Sequence, residues 1–198
     1  MAFHNIQVYP SISEPNQPYK VQWMNPAGYP FLGAGAQGAV FQLSPTTCVK
    51  VFAHESDAQQ EAHSLYKASS ASFTPRVHGV GSDYIIMEYI QGQDIDTFLS
   101  EQHHLPVFLA EKLVVMLHEM QRVRFTRRDA ALRHIYITPE RQLKVIDHVN
   151  SYRFIQPYPV RLLQELANKG CLIPFLEYAE KTVPAMSAVW RQKSVIPS

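Results

Sequence analysis

Residues 127–147 read RRDAALRHIYITPERQLKVID, a stretch in which acidic residues flank two short runs of β-type residues. Asp129 precedes the run Ile135–Ile137, Asp147 follows the run Leu143–Ile146, and a polar turn with a proline separates the runs. The pattern predicts an antiparallel ribbon, and because a ribbon brings its ends together we expect both carboxylates to face one pocket. Mg²⁺ prefers such hard oxygen ligands. The alternative is a solvated turn with two unrelated surface acids.

A glycine-rich loop lies nearer the N-terminus. Gly33, Gly35 and Gly38 form the pattern G-x-G-x-x-G, and β-type residues flank it on both sides. A dinucleotide-binding fingerprint opens a helix after its third glycine, whereas residues 39–43 read as a strand that Ser44-Pro45 ends. The pattern therefore predicts a hairpin whose glycines let backbone N–H groups approach phosphates.

Lys50 stands in the next apolar run, Thr47–Phe52, where strand alternation puts it on one face with Cys48. A lysine in so apolar a strand is unusual, and an edge-strand lysine that discourages aggregation is the alternative. A helix predicted from Asp57 carries Glu61, a candidate partner for Lys50. Glu55 and a solvated Glu61 are the alternatives there.

These segments together resemble the protein kinase family. The order of the motifs carries the resemblance: glycine loop, strand lysine, helix glutamate, Met87-Glu88-Tyr89, Arg128-Asp129 and finally Asp147. The resemblance implies an α+β class and a two-lobed kinase-like fold, with an N-terminal antiparallel β-sheet plus one helix and a truncated, mainly helical C-terminal lobe. It divides the chain into an irregular lead-in at 1–28, an N-lobe at 29–90 and a minimal C-lobe at 91–198.

The resemblance also implies roles for individual residues. Asp129 becomes the acceptor of the substrate hydroxyl proton, and Lys50, oriented by Glu61, holds the α- and β-phosphates of ATP. Arg133 becomes the group that neutralises the γ-phosphate. Asp147 and His134 become ligands of Mg²⁺ or Mn²⁺. The remaining nucleotide contacts are implied for the glycine loop and the strands beside it: Gly33, Gly35, Gly38, Val40, Cys48, Met87, Glu88 and Ile90.

Two positions depart from the pattern of the family. His134 stands where the family normally has Asn, and His148-Val149 follow Asp147 in place of Phe-Gly. A neutral imidazole suits zinc and other transition metals better than Mg²⁺, and loss of the glycine makes the segment less flexible. Because the part after Asp147 is short and lacks an Ala-Pro-Glu motif, the resemblance is to short, atypical bacterial kinases. It covers residues 29–150 well and the C-terminal helices poorly.

The implied function is ATP- and metal-dependent phosphoryl transfer to a protein hydroxyl, with Ser or Thr favoured over Tyr. Two other classes stay open. A pseudokinase, or nucleotide-binding interaction module, is favoured by His134 and disfavoured by the presence of Lys50, Asp129 and Asp147. A small-molecule phosphotransferase of similar fold is disfavoured by the short connection at residues 91–105, where such enzymes usually carry a helical insert. The implied partners are ATP and a protein substrate, with the chain itself a monomer.

Composition narrows the classes further. The chain has 198 residues, 46% of them hydrophobic and 18% charged, as in ordinary globular proteins. A net charge of +1 gives no reason to expect nucleic acid or an anionic membrane as a partner. No apolar run approaches the roughly 20 residues that span a bilayer, and no conventional secretory signal is recognisable. Cys48 and Cys171 lack a metal-binding spacing and fit reduced thiols. We expect a cytoplasmic protein, with delivery into a host cell as an effector the alternative.

Apolar spacing and turn residues place the other elements. Leu109, Leu113 and Met116 recur at helical spacing, which predicts a buried helix over Pro106–Val123. Further strands are expected at Tyr19–Trp23, Phe73–Val80 and Asp83–Ile90, and further helices beginning at Asp94, Tyr158, Pro174 and Pro184.

Overall fold

The structure, a computed structural model, describes residues 2–10 and 20–194. This part of the chain is α+β, with antiparallel sheets and six α-helices, which confirms the predicted class. It divides into two compact units. Among the described residues, unit 1 comprises residues 2–10, 20–67 and 75–90, and unit 2 comprises residues 68–74 and 91–194. The assignment of kinase lobes to parts of the chain stays a prediction.

Unit 1 is built mainly from β-strands. After a 3₁₀ turn at Ala2–Asn5 come β1 (Gln7–Tyr9), β2 (Gln22–Met24), β3 (Phe31–Ala34), β4 (Gly38–Ser44), β5 (Thr47–Phe52), α1 (Glu55–Lys67), β6 (Val77–Val80) and β7 (Tyr84–Glu88). Strands β1 and β2 pair with each other, and the other five form one antiparallel sheet in the order β3-β4-β5-β7-β6. The third glycine of the glycine-rich loop thus opens a strand, which confirms the predicted hairpin.

One face of the five-stranded sheet is apolar, because alternate residues of neighbouring strands point to the same side. Phe41 and Val49 lie there, fully buried, and pack with Phe3, Ile6 and Val21 from the first part of the chain. More of this lead-in is regular than the sequence indicates, since its buried residues are too widely spaced to show a period. The strand expected at Tyr19–Trp23 is observed as β2, and Tyr19 itself lies outside the described residues.

Unit 2 is mainly helical. Its elements are β8 (Gln93–Asp94), α2 (Ile95–Gln102), α3 (Val107–Arg122), a 3₁₀ turn at Leu132–His134, β9 (Ile135–Ile137), β10 (Leu143–Val145), α4 (Val160–Asn168), α5 (Leu172–Thr182) and α6 (Pro184–Lys193). Strands β9 and β10 form the predicted antiparallel ribbon, and β8 adds a third strand beside β9. The buried helix predicted over Pro106–Val123 is confirmed as α3.

Local chemistry explains how these elements begin and pair. Asp94 caps α2, because its Oδ1 accepts a hydrogen bond of 3.0 Å from the backbone N–H of Thr97. Gly92 has a φ of 150°, and a Cβ there would lie 2.1 Å from the carbonyl oxygen of Ile137. Only glycine allows β8 to approach β9 this closely. The apolar face of α3 then packs against α5, and α4, which also contacts α5, contributes to the same buried core. None of the helices in residues 2–10 and 20–194 is long and apolar enough to cross a membrane.

Candidate functional site

The candidate residues lie in both units, and the unit 1 set is organised around Lys50. Lys50 lies in β5, the central strand of the sheet, so the edge-strand alternative is wrong. Its Nζ is 2.5 Å from Oε2 of Glu61, which α1 supplies, and 4.9 Å from the centre of the Phe52 ring. The Lys50 side chain is 12% exposed and that of Glu61 only 2%. The solvated alternative for Glu61 is therefore also wrong, and the pair is a buried one.

The predicted nucleotide contacts of the strands share one face of the sheet. Val40 lies opposite Lys50 in the antiparallel register of β4 and β5, and Cys48 lies opposite Met87 in that of β5 and β7. Since directly opposite residues point to the same side, the four side chains stand on the Lys50 face, away from the core of Phe41 and Val49. Burial raises the pKa of the Cys48 thiol to about 12, so Cys48 acts as a small apolar surface and not as a nucleophile.

The three glycines of the glycine-rich loop differ in whether packing within the chain leaves room for a larger residue. A Cβ at Gly38 would lie 2.5 Å from the carbonyl oxygen of Val51, so β4 and β5 cannot pair as they do with a larger residue there. A Cβ at Gly33 or Gly35 would meet no atom within 4 Å, and neither residue has a left-handed φ. Packing within the chain therefore explains Gly38 but leaves Gly33 and Gly35 without a structural reason.

The segment after β7 carries the remaining predicted contacts of unit 1. Glu88 ends β7, and its Oε2 accepts a hydrogen bond of 3.0 Å from the backbone N–H of Arg76. Its carbonyl oxygen lies 3.7 Å from Cys48 Sγ. Ile90 follows, half-buried, as the last residue of unit 1. The role of Glu88 and Ile90 backbone groups in binding adenine stays a prediction.

Asp129, in unit 2, is held by the N-terminus of α4. Its Oδ2 and Oδ1 accept hydrogen bonds of 3.1 and 3.2 Å from the backbone N–H groups of Arg161 and Leu162. Burial raises the pKa of the Asp129 carboxyl, although these N–H groups and the charges of Arg127 and Arg161 oppose the rise. A carboxylate that is partly stripped of water is a better proton acceptor than a solvated one, and perturbed groups of this kind are concentrated at functional sites.

Glu165 supports the same loop, in a role that the sequence pattern does not predict. Its Oε2 accepts a hydrogen bond of 2.6 Å from the backbone N–H of Leu132, and its Oε1 accepts one of 2.8 Å from Nε of Arg161. The Arg161–Glu165 spacing on a helix signals an ion pair, but no local pattern signals the bond to Leu132, which lies 33 positions away. The loop from Asp129 to Leu132 is thus fastened to α4 by two carboxylates.

His134 and Asp147 lie together at the end of the ribbon. His134 Nδ1 is 3.9 Å from Asp147 Oδ2, and the two side chains are 27% and 34% exposed. The backbone N–H of Ile146 donates to the carbonyl oxygen of His134 at 2.9 Å, which fixes this approach. Asp147 has a φ of 68°, a conformation that costs free energy in a residue other than glycine and is found preferentially at functional sites.

These two side chains are the candidate cation ligands. No group of three or more His, Cys, Asp or Glu side chains that could hold a metal occurs within residues 2–10 and 20–194. Mg²⁺, however, is commonly bound by one or two carboxylates, with waters and phosphate oxygens completing its shell. Asp147 fits that requirement, whereas the imidazole of His134 suits a softer cation. That Asp129 and Asp147 face one pocket stays a prediction.

His148, which stands in place of the usual phenylalanine, is a core residue. It is 2% exposed, and its ring centre lies 5.7 Å from that of Phe125 and 6.2 Å from that of Phe73. Its Nε2 is 2.8 Å from the carbonyl oxygen of Val145, and its Nδ1 is 3.2 Å from Oγ of Ser151. Both ring nitrogens therefore have partners, and His148 keeps the aromatic packing while it fixes the chain after Asp147.

Arg133 lies in the 3₁₀ turn between Asp129 and His134, with an exposed side chain. It lines a small cleft of about 130 Å³ in unit 2, together with Asp96, Glu165, Asn168 and Lys169. The neutralisation of a γ-phosphate by Arg133 stays a prediction. Cys171, like Cys48, is a buried free thiol.

A scan against protein-family models finds no match for this chain, and no curated protein is significantly similar to it.

Proposed function

We propose that the protein transfers the γ-phosphoryl group of ATP, with a divalent cation, to a hydroxyl group of a protein substrate, and that its two units are the lobes of a kinase-like fold. The observation that carries the proposal is the buried ion pair of Lys50 and Glu61 on the central strand of unit 1. Burying two charges costs several kcal/mol, and apolar side chains of similar volume often stabilise a fold at least as well. A role in binding explains why such a pair is present.

Lys50 is suited to binding an anion. Glu61 holds Nζ of Lys50 in one position, on the same sheet face as Val40, Cys48 and Met87. These apolar neighbours give a surface on which an adenine ring packs, while the ammonium group attracts phosphate oxygens. Gly33 and Gly35 support this reading, because close approach of a phosphate to their backbone N–H groups supplies the reason for glycine that packing does not.

The chemistry is assigned to unit 2. As the oxygen of the substrate hydroxyl attacks the γ-phosphorus, the bond to the leaving oxygen of ADP breaks and the hydroxyl proton passes to Asp129. The raised pKa of Asp129 favours that transfer. Asp147 and His134 would hold the cation, whose charge would offset that of the phosphates. Glu165 and the N-terminus of α4 orient the loop that carries Asp129.

A second candidate is a nucleotide-binding module that performs no transfer. One observation favours it: both oxygens of Asp129 already accept hydrogen bonds from α4, so Asp129 also serves as a helix cap. Turnover separates the two candidates, since a module binds ATP without releasing ADP.

Incubation of the purified protein with γ-labelled ATP, a mixture of proteins and either Mg²⁺ or Mn²⁺ tests the proposal. We expect labelled protein, and loss of the label in Asp147→Asn. Asparagine is chosen because it tolerates a positive φ and isolates the loss of charge. Asp83→Asn, the same change of charge in unit 1, should leave labelling intact. A folded wild-type protein that binds ATP but transfers no label with either cation would show that the protein is a nucleotide-binding module instead.

A further inference from the structure

The small cleft of unit 2 that Arg133 lines has a charge distribution of its own. Five residues line it: Asp96 from α2, Arg133 from the 3₁₀ turn, Glu165 and Asn168 from α4, and Lys169 just after α4. Its volume of about 130 Å³ is below the few hundred Å³ of typical small-molecule sites. A cleft of this size accepts one side chain rather than a nucleotide.

Both carboxylates of the cleft are already matched by cations. Oδ1 of Asp96 is 2.9 Å from Nζ of Lys169, and Lys169 donates a second hydrogen bond to the backbone carbonyl of Asp96. Glu165 is 2.8 Å from Nε of Arg161 and also accepts from the backbone N–H of Leu132. Neither carboxylate is therefore left to bind a cationic ligand.

Arg133 differs from the other charged residues of the cleft, which are matched by groups of opposite charge. Throughout the described ranges, no residue makes a hydrogen bond or an ion pair with its guanidinium group. Asn168 accepts a hydrogen bond of 3.1 Å from Nε2 of Gln164 through its Oδ1, so the groups that it offers to the cleft are the two N–H donors of its amide. The cleft thus presents a planar cation and additional donors. Its lining is neutral by itself, and the group has one positive charge in excess once Arg161, which neutralises Glu165 from outside the lining, is included.

From this balance we infer that the cleft binds an anionic side chain of the protein substrate, either the carboxylate of Asp or Glu or the phosphate of a phosphorylated residue. Arginine matches both groups because its planar fork donates parallel hydrogen bonds to their oxygens. The inference rests on the proposed function. It makes Arg133 a specificity-determining residue, which selects substrates with an acidic group near the acceptor hydroxyl, instead of a ligand of the γ-phosphate.

Direct binding tests this without relying on turnover. The probes are three fluorescent serine peptides of one scaffold: a glutamate-rich peptide, its glutamine analogue, and the glutamine analogue with a phosphoserine added. We expect the wild type to bind the glutamate peptide or the phosphoserine peptide, whichever supplies the anion, about tenfold or more tighter than the glutamine analogue. Arg133→Ala should remove that preference. Arg76→Ala, which deletes an exposed arginine of unit 1, should keep it and controls for net charge.

The outcomes separate the inference from the proposed function. Equal binding of all three peptides by the wild type, or an unchanged preference in a folded Arg133→Ala variant, would overturn the inference even if the protein transfers phosphate. A preference that Arg133→Ala removes, in a protein that transfers no phosphate, would leave the anion site standing and overturn the proposed function. With transfer active, Arg133→Ala should raise KM for the anionic peptide. A uniform fall of kcat on every peptide would instead show that Arg133 acts on the γ-phosphate of ATP and not on the peptide.

Discussion

Nζ of Lys50, on the central strand of the unit 1 sheet, and Oε2 of Glu61, on α1, lie 2.5 Å apart, and the glutamate side chain is only 2% exposed. An exposed pair of this kind contributes at most about 1 kcal/mol to stability. A buried pair behaves differently, because removing one partner deprives the other of its compensating charge in a medium that solvates charge poorly.

Lys50→Met should therefore destabilise the protein, by about 3–5 kcal/mol, since the buried carboxylate of Glu61 loses the charge of the lysine. The double variant Lys50→Met/Glu61→Leu should regain most of that loss, because neither charge is then buried. Urea denaturation of the wild type, the two single variants and the double variant gives the coupling free energy. Additive effects of the two single substitutions would show that the pair is not coupled.

The glycine-rich loop offers a test with an internal control. Gly33→Ala and Gly35→Ala should leave the free energy of unfolding unchanged or raise it by about 0.4–1 kcal/mol, since a Cβ at either position meets no atom within 4 Å. Both should weaken ATP binding. Gly38→Ala should lower stability, because its Cβ would lie 2.5 Å from the carbonyl oxygen of Val51. Calorimetric titration with ATP and denaturation curves measure the two effects, and normal ATP affinity in both loop variants would contradict the phosphate assignment.

Asp129 should show opposite effects on stability and on transfer. Burial raises its pKa in the folded protein, so the neutral carboxyl is the better tolerated form. Its contribution to stability is then fully present below the unfolded pKa, near 3.8, and is lost as the pH rises through the higher folded value. Asp129→Asn should consequently gain stability relative to the wild type as the pH increases through this range. Transfer should fall by about 10²–10⁴-fold.

Unfolding free energies of wild type and Asp129→Asn between pH 3 and pH 7 show whether the stability of Asp129→Asn relative to wild type increases with pH. Asp129→Ala serves as the control for the cap, and should be about 1 kcal/mol less stable than Asp129→Asn at every pH, because neither variant titrates and alanine also loses the bonds to α4. A stability difference between Asn and Asp that shrinks with rising pH would mean that α4 stabilises the charge by more than burial penalises it.

His134 should determine both which divalent cation supports transfer and how steeply the transfer rate falls at acidic pH. A protonated imidazole cannot bind a cation, so transfer should fall on acidification if His134 is a ligand next to Asp147. His134→Asn should reduce the fall of activity at acidic pH. It should also preserve or raise activity with Mg²⁺, because an amide oxygen is a harder ligand than an imidazole nitrogen. Rates across pH with Mg²⁺ and with Mn²⁺ give both readouts. A His134→Ala variant with the pH profile and metal preference of the wild type would make His134 a packing residue.

Much of the fold follows from local patterns. The ribbon of β9 and β10 and the hairpin of β3 and β4 are predicted correctly, because alternation and turn residues lie within a few positions of one another. Strand β8 was missed, since two residues are too few to show a period. The core contributions of Phe3, Ile6 and Val21 were missed for a related reason, as turn-forming residues separate them.

The candidate site is harder than the fold to predict from the sequence, because its contacts join residues that are distant along the chain. The bonds from α4 to Asp129 span 32 and 33 positions, and no helical or strand period relates their members. The cleft of Arg133 brings together α2, the 3₁₀ turn and α4, and appears only once these helices are packed. The pairing of Lys50 with Glu61 was expected from the resemblance to kinases, but its depth of burial was not.

If the protein binds ATP as proposed, the buried pair of Lys50 and Glu61 holds its phosphates. Titration calorimetry of Mg²⁺·ATP and of adenosine against the wild type and Lys50→Met/Glu61→Leu tests it most directly, in a variant that is expected to stay folded. The double variant should lose ATP affinity by about tenfold or more, which is the effect of losing one charge-assisted hydrogen bond, and should keep its affinity for adenosine. Equal affinity of wild type and folded double variant for ATP would contradict this role of the pair.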